Sequence, residues 1–574
     1  MFCNDFQSFF VTRGSFSYML HNHLQIGVYL KLIRVIALLV GLTAFLGADQ
    51  ISAFSTSTEP KLILIHLDAA SGPILEEEME MGNLPNLEAF FGEHQRINYA
   101  ITYFPSKTPT VISSIRRGKT LEEAILPGWK RTDKENGGTI GLIPTFLNMA
   151  FSKSRLATTN LIYGIPAFYW MAPPALVNTA DYLKDYNILE FYWYRVDSEG
   201  HFRGEEAYRE QLAIFDRNFG RLVRRLDDDV NIIIYGDHGM TFGEGVEIDH
   251  VIEEMVGDDL AIYSYPTLFL ENNSPKDFYA RKLVEETGID YTFFLSDDGV
   301  VTGYHKDGII RFDSRNGKIR YTYESNDVLE YYAHGYNGEF WDKDQWLQFS
   351  HALRYPYAPV NIYTFLNNPN SGDIITMFAE NRFHQTGYSR AGNHGGFTYQ
   401  DMVTPLLIRG PDVDELYGEE YFWLPDLFSR IDGINFDQNP PRERHFLATR
   451  YDFSRNRQVV QASFSPGYRI HYGANVYLEN RLGIQGIDRT DIWGKADIYR
   501  SYLTRAWLGT GIEIRDADIT PFFKFQYDIH LRKFVLQNSF ATNRQYYFKL
   551  SWEVLPWLAL ETVNFNSAGV RFDF

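Results

Sequence analysis

Four apolar runs of strand length end or begin on acidic and imidazole side chains, which limits this chain to folds in which strand ends meet. KLILIHL, from Lys61, is followed at once by Asp68. NILEFYWYR leads into Asp197 and His201, NIIIY leads to Asp237 and His238, and the run MVTPLLI is preceded by His394. Amphipathic stretches lie between these runs, so the alternation predicts an α/β sheet with helices on both faces. In an open α/β sheet the carboxyl ends of the strands form the crevice where ligands bind. The six acidic and imidazole residues would converge there although they are spread over more than 300 positions. Three Asp and three His offer oxygen and nitrogen donors suited to Zn²⁺ or a similar divalent ion.

Composition narrows the chemistry. The single cysteine, Cys3, leaves no internal disulfide and no thiolate cluster in a chain of 574 residues. With 54 Lys and Arg against 73 Asp and Glu, the net charge of −19 has the wrong sign for a nucleic-acid scaffold. Near the start, Lys31 and Arg34 precede the apolar run from Val35 to Leu46 and the small residues Ala48 and Ala53. Residues 1–53 therefore read as a signal peptide region, with Met19 as an expected alternative start. The run falls short of the roughly 20 apolar residues that a membrane-spanning helix needs.

Residues 61–436 form the expected catalytic domain, with a β-rich insertion at about 290–327 marked by the turn signals DDG, KDG and RNG. DQNPPRER, residues 437–444, reads as a linker because paired prolines break helix and sheet. Beyond it the charge changes sign, since residues 441–574 carry 18 Lys and Arg against 13 Asp and Glu. In this tail Phe523, Phe525, Tyr527 and Ile529 alternate with Lys524, Gln526 and Asp528, and comparable alternation recurs to Phe574. Residues 445–574 are thus expected to be an all-β domain, either a soluble sheet domain or a barrel of eight strands. The ending SAGVRFDF resembles the terminal strand of bacterial outer-membrane barrels. With the signal peptide region, that resemblance implies export to the periplasm or outer membrane of a Gram-negative bacterium.

A further candidate lies in FPSKTPTVISSIRRG. Thr108 precedes Pro109, and Val111, Ile112 and Ile115 are helically spaced, which puts Thr108 at a helix N-cap. A plain cap explains this pattern. The same geometry makes a seat for an anionic phosphoryl group, and a nearby metal would activate the hydroxyl as a nucleophile. Lys107 is adjacent and is a candidate substrate contact.

Together Asp68, Thr108, Asp197, His201, Asp237, His238 and His394 resemble the alkaline phosphatase superfamily, nearest its type I phosphodiesterase and nucleotide pyrophosphatase branch. The matching motifs are Lys107 and Thr108 ten residues before Gly118, D-x-x-G-H from Asp197, D-H-G-M from Asp237, and H-G at His394. NSGDIITMF, VTPLLIRGP and LPDLFSRIDGI add to the likeness, which spans roughly Lys61 to Phe436.

The resemblance implies two divalent metal ions, Zn²⁺ or Mn²⁺. One would be held by Asp197, His201 and His394, and the other by Asp68, Asp237, His238 and Thr108. It implies hydrolysis of a small phosphorylated substrate, as a phosphodiesterase, nucleotide pyrophosphatase or phosphomonoesterase, through a Thr108 phosphoenzyme. A phosphotransferase of the same superfamily and a non-catalytic envelope binding protein are the competing readings. The chain departs from the diesterase pattern after the nucleophile, where Pro109 replaces the usual Phe-Pro-Asn. No Arg follows in the position that sulfatases require. His66, His250, His305 and His384 lack motif support and read as structural, although His66 lies two residues before Asp68. Arg116 and Arg117, about two turns from Thr108, read as packing or solvent-facing.

Overall fold

The computed structural model describes residues 60–574 apart from 93–94, 116–125, 134–137, 143, 146–156, 159–169, 184–185, 272–273, 387–389, 414–415, 417–419, 433–444, 468–469, 482–483, 501–502, 517 and 544. The signal peptide region, Arg116, Arg117, Gly118 and the 437–444 linker lie outside the described residues. Among those described, no helix is long and apolar enough to cross a membrane.

The strand Lys61–Leu67 (β1) pairs in parallel on one side with Ile188–Trp193 (β2) and on the other with Val230–Gly236 (β3). All seven positions of β3 are buried, as are six of seven in β1, because both faces of the sheet are covered. Leu62 and Leu64 face one apolar layer, while Ile63, Ile65 and Leu67 face the other. Among the described residues the sheet has seven strands, in the order Tyr421–Trp423, Arg96–Ile101, Val403–Arg409 (β4), β3, β1, β2 and Ala157–Thr158.

β4 runs antiparallel to β3, with Leu406 opposite Tyr235 and Arg409 opposite Ile232. Its amino end therefore lies beside the carboxyl ends of β1, β2 and β3. That reversal brings a segment preceding a strand into the crevice formed by segments following strands.

The hairpins of residues 290–327 supply four strands of a second seven-stranded sheet, all of whose pairings are antiparallel. The remaining strands are Leu260–Ser264, Thr267–Leu270 and Ile374–Met377, so this unit is wider than a local insertion. It packs on the first sheet through Phe293, Ile310, Phe312 and Tyr321.

Residues 446–573 close into an antiparallel barrel in which the first strand, Phe446–Asp452, pairs with the last, Ser567–Asp573. It has ten strands, not eight. The smaller number allowed too much chain for turns: only two residues separate Leu531 from Phe534 and Leu555 from Leu558, and the strand Leu558–Val563 has only six residues. The ring-bearing face points outward. Phe523 is 71% exposed, while Lys524, Gln526 and Asp528 are buried in the lumen. Leu508, Phe525, Phe540 and Tyr546 lie side by side in register across four strands, all exposed. Inside, Lys549 and Arg571 contact Glu561 at 3.0 and 3.2 Å, and Arg489 contacts Asp491 at 3.1 Å.

Candidate metal centre

Each residue of the expected set occupies a strand end. Asp68 directly follows β1, Asp237 and His238 follow β3, and Asp197 and His201 lie one turn apart on Arg195–Arg203 (α2), the helix after β2. His394 arrives ahead of β4. Thr108 opens the helix Thr108–Ile115 (α1) as its first residue, one place later than the N-cap expected. The structure brings all seven together, and none is more than 7% exposed.

The motif glycines are steric requirements. A Cβ on Gly239 would stand 1.9 Å from the Gln400 carbonyl oxygen. Gly395 has φ +106°, a conformation that side chains with a Cβ rarely adopt, and a Cβ there would strike the Lys107 side chain.

Two groups form within the cluster and they overlap, since His238 also converges with Asp197 and His394, and His66 with Asp68 and Asp237. In the first, His201 Nε2 and His394 Nε2 lie 3.2 and 3.3 Å from Asp197 Oδ1 and 3.1 Å from each other. In the second, His238 Nε2 lies 3.3 Å from Asp237 Oδ2, 3.6 Å from Asp68 Oδ1 and 3.0 Å from Thr108 Oγ1. The His238 and His394 rings stack at 3.8 Å, so the two groups adjoin.

Two of the tautomers follow from the backbone. Nδ1 of His201, His394 and His238 lies 2.9, 2.9 and 3.0 Å from the carbonyl oxygens of Gly392, Ser106 and Gly239. A carbonyl only accepts, so Nδ1 of His394 and of His238 carries a proton there, while His201 Nδ1 also lies 3.4 Å from Arg390 Nη1. Nε2 of all three rings faces carboxylate oxygens, and Asp197 Oδ1 and Asp237 Oδ2 are buried without a hydrogen-bond donor. Lone pairs converging on lone pairs are repulsive unless a cation lies between them, so the donor set fits a pair of divalent ions.

Burial, then the charges of Asp237 and Asp197, push the Asp68 carboxyl well above the usual carboxylate range. Burial works the same way on Asp197 and Asp237. There it is overcome, by His201 and His394 for Asp197 and by His238, His66 and the Ala69 N–H for Asp237, and both carboxyls are held low. Burial and the neighbouring His238 bring His394 down to about 3, which keeps its ring neutral.

Sequence reasoning missed two supporting residues. The Tyr192 hydroxyl donates to Asp68 Oδ2. His66 Nε2 stands 3.2 Å from Asp237 Oδ1, which also accepts the Ala69 N–H at 3.1 Å. The signal for both was strand register, since His66 is paired with Tyr192 one step short of the strand ends. Asp401 Oδ2 accepts the Gly396 N–H at 2.8 Å and Oδ1 accepts the Thr241 hydroxyl, which props the turn after His394.

A cavity of about 550 Å³ opens over Thr108, Asp197, His201 and His394. Lys107, Lys130 and Arg390 line it together with Trp129, Phe202 and Tyr265. Lys107 donates from Nζ to the Tyr265 carbonyl, and burial brings its ammonium down to about 7. Of the histidines read as structural, His384 also reaches the wall, stacked on Tyr265 at 4.6 Å and 2.6 Å from Asp249 Oδ1. His250 is exposed and His305 packs on Tyr291.

A family model described as type I phosphodiesterase / nucleotide pyrophosphatase matches residues 141–319. The match includes Asp197, His201, Asp237 and His238 and bears out the resemblance read from the sequence. No curated protein matches the chain. Among solved structures, murine ectonucleotide pyrophosphatase / phosphodiesterase 5 is 13% identical, with a TM-score of 0.43, over 67% of this chain and 97% of its own. An inactive form of that murine protein in complex with AMP gives 14% identity and a TM-score of 0.44 over the same shares.

Proposed function

We propose, from a domain that matches type I phosphodiesterases and nucleotide pyrophosphatases, that this chain hydrolyses phosphate esters through a phosphorylated Thr108. Asp197, His201 and His394 would hold one divalent ion, and Asp68, Asp237, His238 and Thr108 a second, with Zn²⁺ or Mn²⁺ suiting the donors. The observation that carries this reading is the convergence of three buried imidazoles and three buried carboxylates beside one hydroxyl. Such ions supply charge neutralisation at the phosphoryl group and lower the pKa of a nearby hydroxyl.

The chain's own residues account for the rest. The Thr108 hydroxyl, which donates to Asp68 Oδ1 at 3.5 Å, gives its proton up to water, and Oγ1 bonds to phosphorus as the bond to the leaving oxygen breaks. The departing oxygen takes up a proton from water. Water then attacks the phosphothreonine, which releases phosphate or its monoester and restores the hydroxyl. Lys107 and Arg390 on the cavity wall bring positive charge to the ester's anionic oxygens, in a chain that lacks the Asn of the diesterase pattern. Burial makes these charges count for more than they would in water.

The barrel would hold this domain in the periplasm by anchoring it in an outer membrane. An even number of antiparallel strands, full closure, an aromatic exterior and a charged interior support that reading. The test is Thr108→Ala. It should abolish turnover of nitrophenyl phosphate mono- and diesters while metal content stays near two per chain, the number this reading requires. Turnover retained by the variant would remove the nucleophile, and a wild-type protein that binds no metal would remove the centre.

A further inference from the structure

The way the barrel meets the catalytic domain fixes the direction in which the cleft faces. The Tyr182 hydroxyl donates to the His530 carbonyl at 3.1 Å and accepts the Arg532 N–H at 2.8 Å, and Arg532 pairs with Asp181 at 3.2 Å. Leu503 and Ile529, exposed by 0% and 1%, join the apolar layer beneath the catalytic sheet. All of these barrel residues lie at one rim. Arg532 is in the turn between Asp518–Leu531 and Phe534–Ala541, on the side where the first strand begins and the last ends.

On the catalytic side the contact is made at the foot of the parallel sheet. Tyr182 lies six residues before β2 begins, and Arg225, just past the helix Glu205–Val223 (α3), donates to the Val177 carbonyl and to Asp181. The metal-binding cluster lies at the opposite end of the same elements. Asp68, Asp197 and Asp237 follow the carboxyl ends of the strands, and His201 stands four residues before α3 begins. α3 has 19 residues, so roughly 28 Å of helix separates the cleft from the barrel rim. The cleft opens away from the barrel.

We propose that the substrate is a water-soluble phosphoester that diffuses in from the aqueous compartment, and not the headgroup of a lipid in the bilayer that the barrel spans. This deepens, and rests on, the phosphoesterase and membrane readings above. Headgroups of that bilayer are confined to the level of the barrel's ends. To reach Thr108 a lipid would have to rise by the length of α3 and expose its acyl chains to water at every methylene. Lys107, Lys130 and Arg390 at the cavity wall suit a dissolved anion, and Trp129, Phe202 and Tyr265 offer ring faces to its organic part.

The experiment uses the full chain, with Cys3 replaced by Ser, in vesicles of phosphatidylethanolamine and phosphatidylglycerol. Phe202→Cys at the cleft and Phe525→Cys on the barrel wall each carry a nitrobenzoxadiazole label, and a doxyl-bearing phosphatidylcholine is the quencher. The Phe525 label should be quenched and the Phe202 label should not. On the unlabelled chain, turnover of dissolved nitrophenyl esters should exceed release of phosphorylated headgroups from the host vesicle by more than about 100-fold, because a group held out of reach forfeits catalytic positioning. Quenching at Phe202, or headgroup release at a comparable rate, overturns the inference. An unquenched Phe525 label overturns the membrane reading, and failure to cleave any dissolved ester overturns the hydrolase reading; the inference falls with either.

Discussion

Replacing Tyr192 with Phe isolates one buried bond at the edge of the metal centre. The ring is 2% exposed and packs on His66 at 4.7 Å, so Phe keeps the shape and the stacking and removes only the hydroxyl. What is lost is the donor to Asp68 Oδ2, a hydrogen bond to a carboxylate that lies fully buried beside Asp237 and Asp197. Hydrogen bonds to charged groups contribute about 1.5–3 kcal/mol. Each 1.4 kcal/mol is about tenfold in an equilibrium constant. The expected consequence is a fall of about 10- to 100-fold in affinity for the ion held by Asp68, Asp237 and His238, the range found when outer-shell partners of metal ligands are removed.

Asp197, His201 and His394 form a separate group whose own atoms face one another, so its affinity should stay within a few-fold of wild type. Competition against a chromophoric zinc chelator separates the two sites as two steps, and one step should weaken by about 10- to 100-fold in the variant relative to the same step of the wild type. Two steps unchanged from the wild type would refute the argument that the Tyr192 hydroxyl fixes the Asp68 carboxylate.

Other outcomes follow from the same structure. Gly239→Ala puts a methyl 1.9 Å from the Gln400 carbonyl and should cost about 3 kcal/mol or more, seen as a lower thermal midpoint and faster proteolysis of the catalytic domain. Phe525→Arg, on the exposed barrel row, should destabilise insertion by about 2–4 kcal/mol, read from folding titrations in vesicles. Burial brings the Asp401 carboxyl up to about 7 against hydrogen bonds from Thr241 and Gly396 that favour its charge, where 3.8 is ordinary. Its folded value exceeds its unfolded one, so its contribution is complete below about pH 4 and is lost as pH rises through 7, a difference of about 4 kcal/mol. Asp401→Asn should flatten that part of the stability profile, measured as thermal midpoints between pH 5 and 8. Chelation should stop turnover and lower the thermal midpoint, since ions present at about 100 times their dissociation constant stabilise by about 2.7 kcal/mol per site.

The cluster of carboxylates and imidazoles was legible in the sequence because each member sits beside a strand, and strand ends are marked by composition. Asp68, Asp197 and Asp237 each follow an apolar run, and glycines at 239 and 395 are fixed by close backbone approach and by positive φ. Tyr192 and His66 were not legible as partners of the centre, because they sit within strands where alternation suits packing equally well. Only the pairing of β1 with β2 sets them side by side. The outward rings of the barrel were readable from period-two alternation, yet the strand count was not, because alternation marks a strand's faces and leaves its turns unmeasured. The second sheet was legible only in part: hairpin signals mark residues 290–327, whereas Leu260–Ser264 and Ile374–Met377 join it by pairings between distant segments. Docking through Tyr182 and Arg532 has no local signature at all.

The reversed direction of β4 has a consequence for the chain's biogenesis. His394 Nδ1 is seated by the carbonyl of Ser106, 288 positions earlier, so the centre has no half-assembled form that an early segment could adopt alone. A polypeptide emerging amino end first carries Thr108 long before His394 is synthesised. The cluster is therefore completed only once nearly all of residues 61–409 are available to fold, so strand order sets when the centre closes.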